Sequence, residues 1–297
     1  MEVPMEGSAG YTLAMTLIDL HTHSRASDGT LTPTELVALA GEKGLAAVAL
    51  TDHDTLAGLA EAGLAGRASG VEVVPGVELS VADGDCSIHI LGLFLADHPG
   101  GPLAEALTEL RAKRHDRNRL ILEKLARLGI PIAYADVQAL AKGTVGRPHI
   151  AQVMLARGAV ASVKEAFSRY LGNHGQAYVP KEKLELGRAI DLLHAEGALV
   201  ILAHPSTLGQ KGRTLIETVG RYRDRGLDGI EVFYSEHSQS QTLEYLALSR
   251  RFGLALSGGS DFHGDTKPGV ELGRGRGNLK VDVSILDKLK ERLAGRG

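Results

Sequence analysis

The sequence predicts an α/β protein, a distorted seven-stranded, TIM-like (β/α) barrel that carries an α-helical insertion. Its 297 residues, 43% of them hydrophobic, suffice for one large core. Short apolar runs alternate with helical patterns along most of the chain, as they do in parallel α/β folds. Between about residues 102 and 183 the strand patterns stop and only helical patterns remain. These three observations define the predicted architecture.

The predicted strands are apolar runs without clean alternation, as expected where both faces of a parallel sheet are buried. They cover residues 17–23, 46–51, 71–75 (leading to Glu78), 88–93, 199–203, 229–233 and 254–257. The first intervening helix has a clear start, because Thr32 and Glu35 can form a capping box around Pro33 in the first turn. Seven strands instead of eight make the barrel irregular.

The helical region divides the barrel sequence into two parts. We expect residues 17–100 to form the first part of the barrel, 101–185 an α-helical insertion over the active site, and 186–297 the second part. Within the insertion, Leu103, Leu107 and Leu110 fall on one helical stripe. Ser162 and Glu165 have capping-box spacing and predict a further helix. The insertion is expected to lean over one mouth of the barrel.

Composition argues against several classes of protein. The longest apolar runs, residues 45–50 and 198–203, are too short to span a bilayer. A net charge of -3, 4% aromatic residues and no Trp argue against strong binding of duplex nucleic acid. The first 16 residues contain no Lys or Arg, unlike a secretory signal, and the single cysteine, Cys86, cannot form an internal disulfide. We therefore expect a cytoplasmic protein without a membrane span.

The positions of the histidines carry the functional prediction. His21 and His23 end the first predicted strand and project from the same face. Similar positions, at or near later strands, are held by His53, His89, His204 and His263. The alternative is ordinary turn chemistry, which suits Asp54 as an N-cap but does not suit histidine. Because functional groups gather at strand ends in such barrels, the pattern favours a metal site for Zn, Mn or Fe.

The candidate ligands are too many for one ion. Six imidazoles join the carboxylates of Asp28, Glu78 and Asp261, which predicts two or three divalent ions. Glu78 is the natural bridge, since a carboxylate can bind two ions whereas an imidazole nitrogen ordinarily binds one. Two neighbouring ions can stabilise both the attacking and the leaving oxygen of a phosphoryl transfer. The sequence therefore predicts metal-dependent hydrolysis of a phosphoester.

A family resemblance extends over residues 17–275. Its motifs are IDLHTHSRASDGTLTP, ALTDHDTLAG, PGVELS, HILG, GRPHIA, LAHP and GGSDFHG. In these motifs the chain resembles the PHP (polymerase and histidinol phosphatase) superfamily. It is most similar to the trinuclear phosphoesterases that include the 3',5'-nucleoside bisphosphate phosphatase and the exoribonuclease RNase AM. The resemblance implies a distorted PHP barrel of seven strands, which agrees with the strands counted above.

The resemblance also implies how the ligands divide among the ions. A first ion would be held by His21, His23, Glu78 and Asp261. A second would be held by Glu78, His89 and His204, and a third by Asp28, His53 and His263. The implied reaction is attack on phosphorus by a hydroxide shared between two ions. Manganese is the expected metal, although iron and zinc fit the same ligands.

Three further residues are candidates for proton transfer and phosphate binding. A leaving ribose oxygen needs a proton, and His237, after the sixth strand, is a candidate general acid; a surface-loop histidine is the alternative. Arg147, in the stretch GRPH, is interpreted as a phosphate clamp, because a guanidinium can bind phosphate with two parallel hydrogen bonds. His149 is a weaker candidate in the same stretch.

Three cations near the insertion require a partner. Arg114 and Arg117 continue the apolar stripe of the first insertion helix, where an unpaired charge would be very costly. Their partner is either a substrate phosphate or a buried carboxylate, and the sequence does not distinguish the two. Lys181 is a further candidate for substrate binding.

The sequence thus predicts a phosphoesterase for phosphorylated nucleotides. The activity would be that of a 3',5'-nucleoside bisphosphate 3'-phosphatase, a 5'-3' exoribonuclease on short 5'-phosphorylated RNA, or both. Each needs a site that holds a terminal phosphate and hydrolyses the neighbouring ester. The alternatives are a PHP phosphatase of another metabolite such as histidinol phosphate, an amidohydrolase, and a non-catalytic metal-binding module. No Lys stands at a predicted strand end, which disfavours the amidohydrolase.

Overall fold

The computed structural model describes residues 15–96, 101–140 and 145–296. Its strands are β1 (Ile18–Thr22), β2 (Ala47–Leu50), β3 (Glu72–Asp83), β4 (Cys86–Leu93), β5 (Leu184–Glu185), β6 (Leu199–Leu202), β7 (Gly229–Tyr234) and β8 (Ala255–Gly259). Seven of them follow the order β1-β2-β3-β4-β6-β7-β8, and the short β5 pairs with β3. The predicted fold class is confirmed; only β5 has no counterpart among the predicted strands.

The two ends of this sheet approach each other. The N–H of His23 donates to the carbonyl of Phe262 over 2.9 Å, and the N–H of Asp261 donates to the carbonyl of His21 over 2.8 Å. Gly259 permits this approach, because a Cβ at this position would lie 2.4 Å from the Cβ of His21. The sheet is therefore nearly closed into a barrel, and the segments that follow β1 and β8 lie side by side.

One strand of the barrel runs against the expectation of a fully parallel sheet. β4 pairs antiparallel with both β3 and β6. The reason is local: a two-residue turn joins β3 to β4, with Gly84 at φ 57°, and so short a turn joins only antiparallel strands. The start of β4 consequently lies where the parallel strands end. His89, early in β4 and opposite Ser80, therefore reaches the same edge as the other predicted site residues.

Most of the described helices alternate with the strands along the chain, and four of them lie together between β4 and β5. They are α1 (Pro33–Glu42), α2 (Leu59–Ser69), α3 (Pro102–Arg127), α4 (Tyr134–Leu140), α5 (Arg147–Ala156), α6 (Val163–Ala166), α7 (Leu186–Ala195), α8 (Gly212–Arg225), α9 (Gln239–Phe252) and α10 (Val283–Ala294). α1 begins with the capping box expected from Thr32 and Glu35. Ser162 likewise accepts from the N–H of Glu165 at the start of α6.

Helices α3 to α6 share a hydrophobic core of their own. Ile121, Leu125, Ile150, Met154 and Leu171 are all buried in this cluster. The first turns of α3 instead pack on the barrel, with Leu103 and Leu107 in the cluster that contains residues of β3 and β4. The long α3 therefore connects the helical segment to the barrel. Among the described residues, no helix is long and apolar enough to cross a membrane.

Candidate metal centre

Glu78, in the middle of β3, lies at the centre of the histidine cluster. Its side chain is 0% exposed. The distances from its two carboxylate oxygens to imidazole nitrogens are 2.8 Å for His89, 2.9 Å for His53 and His204, 3.2 Å for His23 and 3.3 Å for His21. Strands and loops from distant parts of the sequence supply these imidazoles. The parallel strands end at this edge of the barrel, and the antiparallel β4 begins there.

The nine residues predicted as metal ligands come together in overlapping groups. Within each of three groups, one ligand atom per residue lies within 4.8 Å of the others; the groups are His21–His23–Glu78–Asp261, His23–Asp28–His53–His263 and His53–Glu78–His89. The ninth residue, His204, is 2.9 Å from Glu78. The first group has the same members as the first ion site implied by the family resemblance. The other two share members with the remaining implied sites.

Unsatisfied nitrogens in this cluster fit a metal site. Buried side-chain atoms without a hydrogen-bond partner include His21 Nε2, both ring nitrogens of His23, His53 Nδ1, His89 Nδ1 and Glu78 Oε2. Buried polar atoms in folded proteins are almost always hydrogen-bonded, so such a concentration needs an explanation. Imidazole nitrogens and carboxylate oxygens that converge in this way are the donor set of Zn, Mn or Fe. The residues therefore fit divalent cations.

The charges of the cluster are strongly coupled. Although burial opposes the effect, Glu231 and Glu78 hold the pKa of His21 well above its usual value. Burial likewise opposes the changes at His23 and His53, whose pKa values are nevertheless raised by surrounding carboxylates. Conversely, neighbouring histidines hold the pKa of Glu78 well below its usual range despite its burial. Without cations, His21, His23 and His53 would therefore tend to bind protons.

Three buried carboxylates outside the cluster fix its supporting loops. Asp19 accepts from the hydroxyl and the N–H of Ser260 at 2.5 and 2.8 Å, and so holds the segment after β8. Asp52 accepts from the hydroxyl and the N–H of Ser24 at 2.6 and 2.7 Å, and so holds the segment after β1. Glu231 contacts His21 from β7. These roles were not predicted from the sequence, although a lone acidic residue inside an apolar strand is a usable signal for Asp19 and Glu231.

Arg114 and Lys181 share a buried carboxylate. Asp54 Oδ2 lies 2.5 Å from an Arg114 nitrogen and 2.8 Å from Lys181 Nζ, and its other oxygen accepts from the N–H of Ser80 at 2.9 Å. The expectation of an N-cap at Asp54 is wrong, because α2 begins later, after Gly58. The carboxylate alternative therefore applies to Arg114. Lys181 also donates to the hydroxyl of Ser80 over 2.7 Å, so both cations join the helical segment to the barrel.

Arg117 and Arg147 have a different environment. Each guanidinium donates to a backbone carbonyl, of Val179 and Leu171 respectively. Within the described parts of the chain, neither one pairs with a carboxylate, and Arg117 also has a buried nitrogen without a partner. Burial, together with the nearby Arg147, lowers the pKa of Arg117 to about 10, which still leaves it charged at neutral pH. Lys183 lies near both guanidiniums and, among the residues that the structure describes, it also has no carboxylate partner; we call Arg117, Arg147 and Lys183 the cation pocket.

The cation pocket and the histidine cluster open into one cavity. Its volume is about 1160 Å³, and its wall includes Asp28, His53, His89 and His263 together with the three cations. The ring of Tyr178 also lines it and lies 5.9 Å from the guanidinium carbon of Arg147. The candidate metal ligands and the cation pocket therefore face the same cavity.

The structure places the two predicted histidines His237 and His149 differently with respect to the cavity. The imidazole of His237 is buried between the rings of Tyr234 and Tyr245, and its Nδ1 contacts the carbonyl of Val232 at 3.0 Å. Among the described residues, His237 is not part of the cavity wall. Its placement therefore does not support the role of general acid for a substrate in this cavity. His149 does line the cavity, but its Nδ1 accepts from the N–H of Gly146 at the start of α5.

Lys267 is a cavity residue that sequence analysis missed. Its Nζ lies 2.7 Å from Asp261 Oδ2 and 3.1 Å from the hydroxyl of Tyr234, which itself donates to Asp261 over 3.0 Å. The two side chains occupy one oxygen of Asp261 and leave the other, Oδ1, facing His21 and His23. No sequence pattern identified this contact, because it depends on how the loop after β8 folds back.

A ligand cluster at the open edge of a barrel, in one cavity with unpaired arginines, defines a metal-dependent hydrolase of phosphate esters. The chain belongs to the PHP domain family, which matches residues 19–179. It is 39% identical to the 5'-3' exoribonuclease of Haemophilus influenzae over 269 residues, 90% of this chain and 96% of that protein. It is 36% identical to the 3',5'-nucleoside bisphosphate phosphatase of Chromobacterium violaceum over 263 residues, 87% and 91% of the two chains.

A solved structure has the same fold. A protein from Bifidobacterium adolescentis, assigned as a metal-dependent phosphoesterase, matches with a TM-score of 0.80 and 30% identity over 93% of this chain and 96% of that one. The predicted membership of the PHP superfamily is confirmed. The chain is a metal-dependent PHP phosphoesterase, and the predicted enzyme class is confirmed with it.

Proposed function

We propose that this enzyme hydrolyses the 3'-phosphoester of nucleotides that carry a 5'-phosphate. The substrates would be 3',5'-nucleoside bisphosphates and the 5' ends of short 5'-phosphorylated RNA. The observation that carries the proposal is a cavity whose wall includes both candidate metal ligands and the cation pocket. Such a cavity suits a substrate with two phosphates, one held and one cleaved. The named relatives act on substrates of this class, which supports the same choice here.

The candidate ligands would hold two or three divalent ions. The proposed set is His21, His23, Asp28, His53, Glu78, His89, His204, Asp261 and His263. Manganese is the proposed metal, with iron or zinc as alternatives that these nitrogen and oxygen donors also suit. When bound, such ions lower the pKa of water and neutralise charge on the phosphoryl group. Glu78, with both oxygens among histidines, would bridge two of them.

The chain's own cations would select the substrate. Arg117 and Arg147 would bind the 5'-phosphate, because a guanidinium donates to phosphate through two parallel hydrogen bonds. Lys183 would add charge, and Tyr178 offers an aromatic face to a base or ribose. Arg114 and Lys181 would act less directly, since Asp54 already engages both. His149 could contribute through its second ring nitrogen.

This assignment gives the helical segment a function. We propose that residues 101–185 form an insertion domain between barrel parts 17–100 and 186–297, and that it supplies the phosphate-binding wall. The barrel would then carry the hydrolytic chemistry, and the insertion would carry the substrate preference. The single cysteine, Cys86, supports the proposal that the enzyme works in the reducing cytoplasm.

The proposal is tested with manganese-loaded protein and matched substrates. Adenosine 3',5'-bisphosphate should release phosphate, and a 5'-phosphorylated oligoribonucleotide should release mononucleotides from its 5' end. The same oligoribonucleotide with a 5'-hydroxyl, and histidinol phosphate, are the controls and should react far more slowly. Hydrolysis of histidinol phosphate alone, or equal rates with and without the 5'-phosphate, would contradict the proposal.

A further inference from the structure

The geometry points to Glu231 as a positioning residue that sets two of the candidate metal ligands at once. Its side chain, on β7, is 0% exposed. One oxygen, Oε1, lies 2.9 Å from Nδ1 of His21, and the other, Oε2, accepts from the backbone N–H of His204 over 2.6 Å. Glu231 is outside the set of candidate ligands, so it would act through other residues. This inference rests on the proposed metal centre.

The contact with His21 determines which ring nitrogen is available to a cation. Glu231 Oε1 accepts, so Nδ1 of His21 carries the proton. The lone pair of the neutral ring is therefore on Nε2, which faces Glu78 at 3.3 Å and Asp261 at 3.6 Å. That nitrogen has no hydrogen-bond partner of its own. Glu231 thus holds His21 in the tautomer that points a free lone pair into the cluster.

Glu231 is unlike the groups that contact the other histidines from outside the cluster. The outer nitrogen of His263 contacts the carbonyl of Asp261 at 2.9 Å, and that of His204 contacts the hydroxyl of Thr207 at 3.3 Å. These partners are a carbonyl and a hydroxyl, whereas Glu231 offers a carboxylate. A carboxylate behind a ligating imidazole fixes its orientation and raises its basicity. His21 should therefore be the most firmly positioned nitrogen ligand of the group.

The contact with His204 has a separate consequence. His204 follows β6 in a left-handed backbone conformation, with φ 26°, that is costly for a residue other than glycine. The hydrogen bond from its N–H to Glu231 helps to hold this conformation. β1 and β6 are not neighbours in the sheet, so no backbone ladder connects His21 to His204. The side chain of Glu231 makes that connection across the barrel.

Replacement by glutamine separates charge and acceptor count from size. Nδ1–H of His21 and the backbone N–H of His204 each need an acceptor. An amide has only one oxygen, so the side chain of Glu231→Gln can accept only one of these two hydrogen bonds. If the amide nitrogen faces His21, the ring must accept at Nδ1 and carry its proton on Nε2, where it blocks a cation. We expect manganese affinity, measured by electron paramagnetic resonance of free Mn²⁺, to fall roughly 10- to 100-fold.

The chain provides a matched control. Asp228, directly before β7, also contacts one histidine and one backbone N–H, with 3.0 Å to His194 Nε2 and 2.8 Å from the N–H of Val200, and it forms an ion pair with Arg296 as well. Asp228→Asn should lower thermal stability without changing manganese affinity. If Glu231→Gln behaves in the same way, Glu231 is structural only and the inference is wrong. If the unsubstituted protein binds no manganese, the proposed metal centre fails instead.

A second measurement needs no variant. In zinc-loaded protein labelled with ¹⁵N-histidine, the ring nitrogens report which one carries a proton and which one binds metal. We expect His21 to carry its proton on Nδ1 and to bind zinc through Nε2. The reverse assignment would overturn the role given to Glu231, whether or not the glutamine variant folds.

Discussion

The shared ion pair at Asp54 gives the sharpest test of how the helical segment is attached to the barrel. Asparagine at this position keeps the size, keeps an oxygen for the N–H of Ser80, and tolerates the left-handed backbone at φ 51°. Asp54→Asn therefore removes little more than the charge. Arg114 and Lys181 are then left beside a neutral amide.

The cost follows from burial. Removing one partner of a fully buried ion pair destabilises a protein by about 3–5 kcal/mol. The Asp54 side chain is 2% exposed, but those of Arg114 and Lys181 are 16% and 27% exposed and can recover some hydration. We therefore expect a loss of about 2–3 kcal/mol, since partial exposure reduces the penalty. For a protein of this size that corresponds to a fall in Tm of roughly 3–5 °C.

The assay is thermal unfolding followed by circular dichroism, with a chelator present so that metal loss does not contribute. The control is Glu217→Gln, which breaks the ion pair with Arg213 on α8, where the two side chains are 60% and 92% exposed. That change should stay within about 0.5 kcal/mol. Adding Lys181→Met to Asp54→Asn should cost less than the sum of the two single changes. A Tm shift no larger than that of the control would refute this reasoning.

Three further outcomes are expected. Arg147→Met should raise KM for 5'-phosphorylated substrates roughly 10- to 100-fold, because one charge-assisted contact is lost. The KM for 5'-hydroxyl substrates should stay the same. Arg157→Met, on the exposed surface, is the control and should change neither of these KM values. Chelation should lower Tm and added Mn²⁺ restore it, by about 2.7 kcal/mol for one site at a hundredfold excess over Kd. Because carboxylates raise the pKa of His21 and His53, metal must displace protons, so calorimetry in two buffers should show proton release and an affinity that rises with pH.

Local patterns in the sequence predicted the elements and the residues at their ends. β1 ends at Thr22, and the extended chain continues far enough for His21 and His23 to approach the same carboxylate, Glu78, as the alternation of side chains along a strand predicts. The capping box at Thr32 forms as expected, because its hydrogen bonds span only three residues. The direction of β4 was missed, although the short turn at Gly84 was a local signal for it.

Pairings between distant residues could not be predicted in the same way. Arg114 was expected to need either phosphate or a carboxylate, and only the packing of α3 on the barrel brings Asp54 to it. His237 follows β7, which is the sixth of the predicted strands, yet its ring packs between two tyrosines and not in the cavity. The direction in which a side chain points after a strand ends depends on the loop, and no short pattern specifies it.

The sequence by itself determined the barrel and which histidines and carboxylates gather at one edge, because strand periodicity and strand order fix these positions; the resemblance of its motifs indicated the family. Tertiary structure alone decided which charges meet: Asp54 with two cations, Glu231 with His21, and Arg117 and Arg147 with no carboxylate in the described chain. The physical reason is that Coulomb and hydrogen-bond energies depend on distances of a few ångströms between residues far apart in sequence. Those distances exist only once the barrel has closed and the helical segment has packed against it.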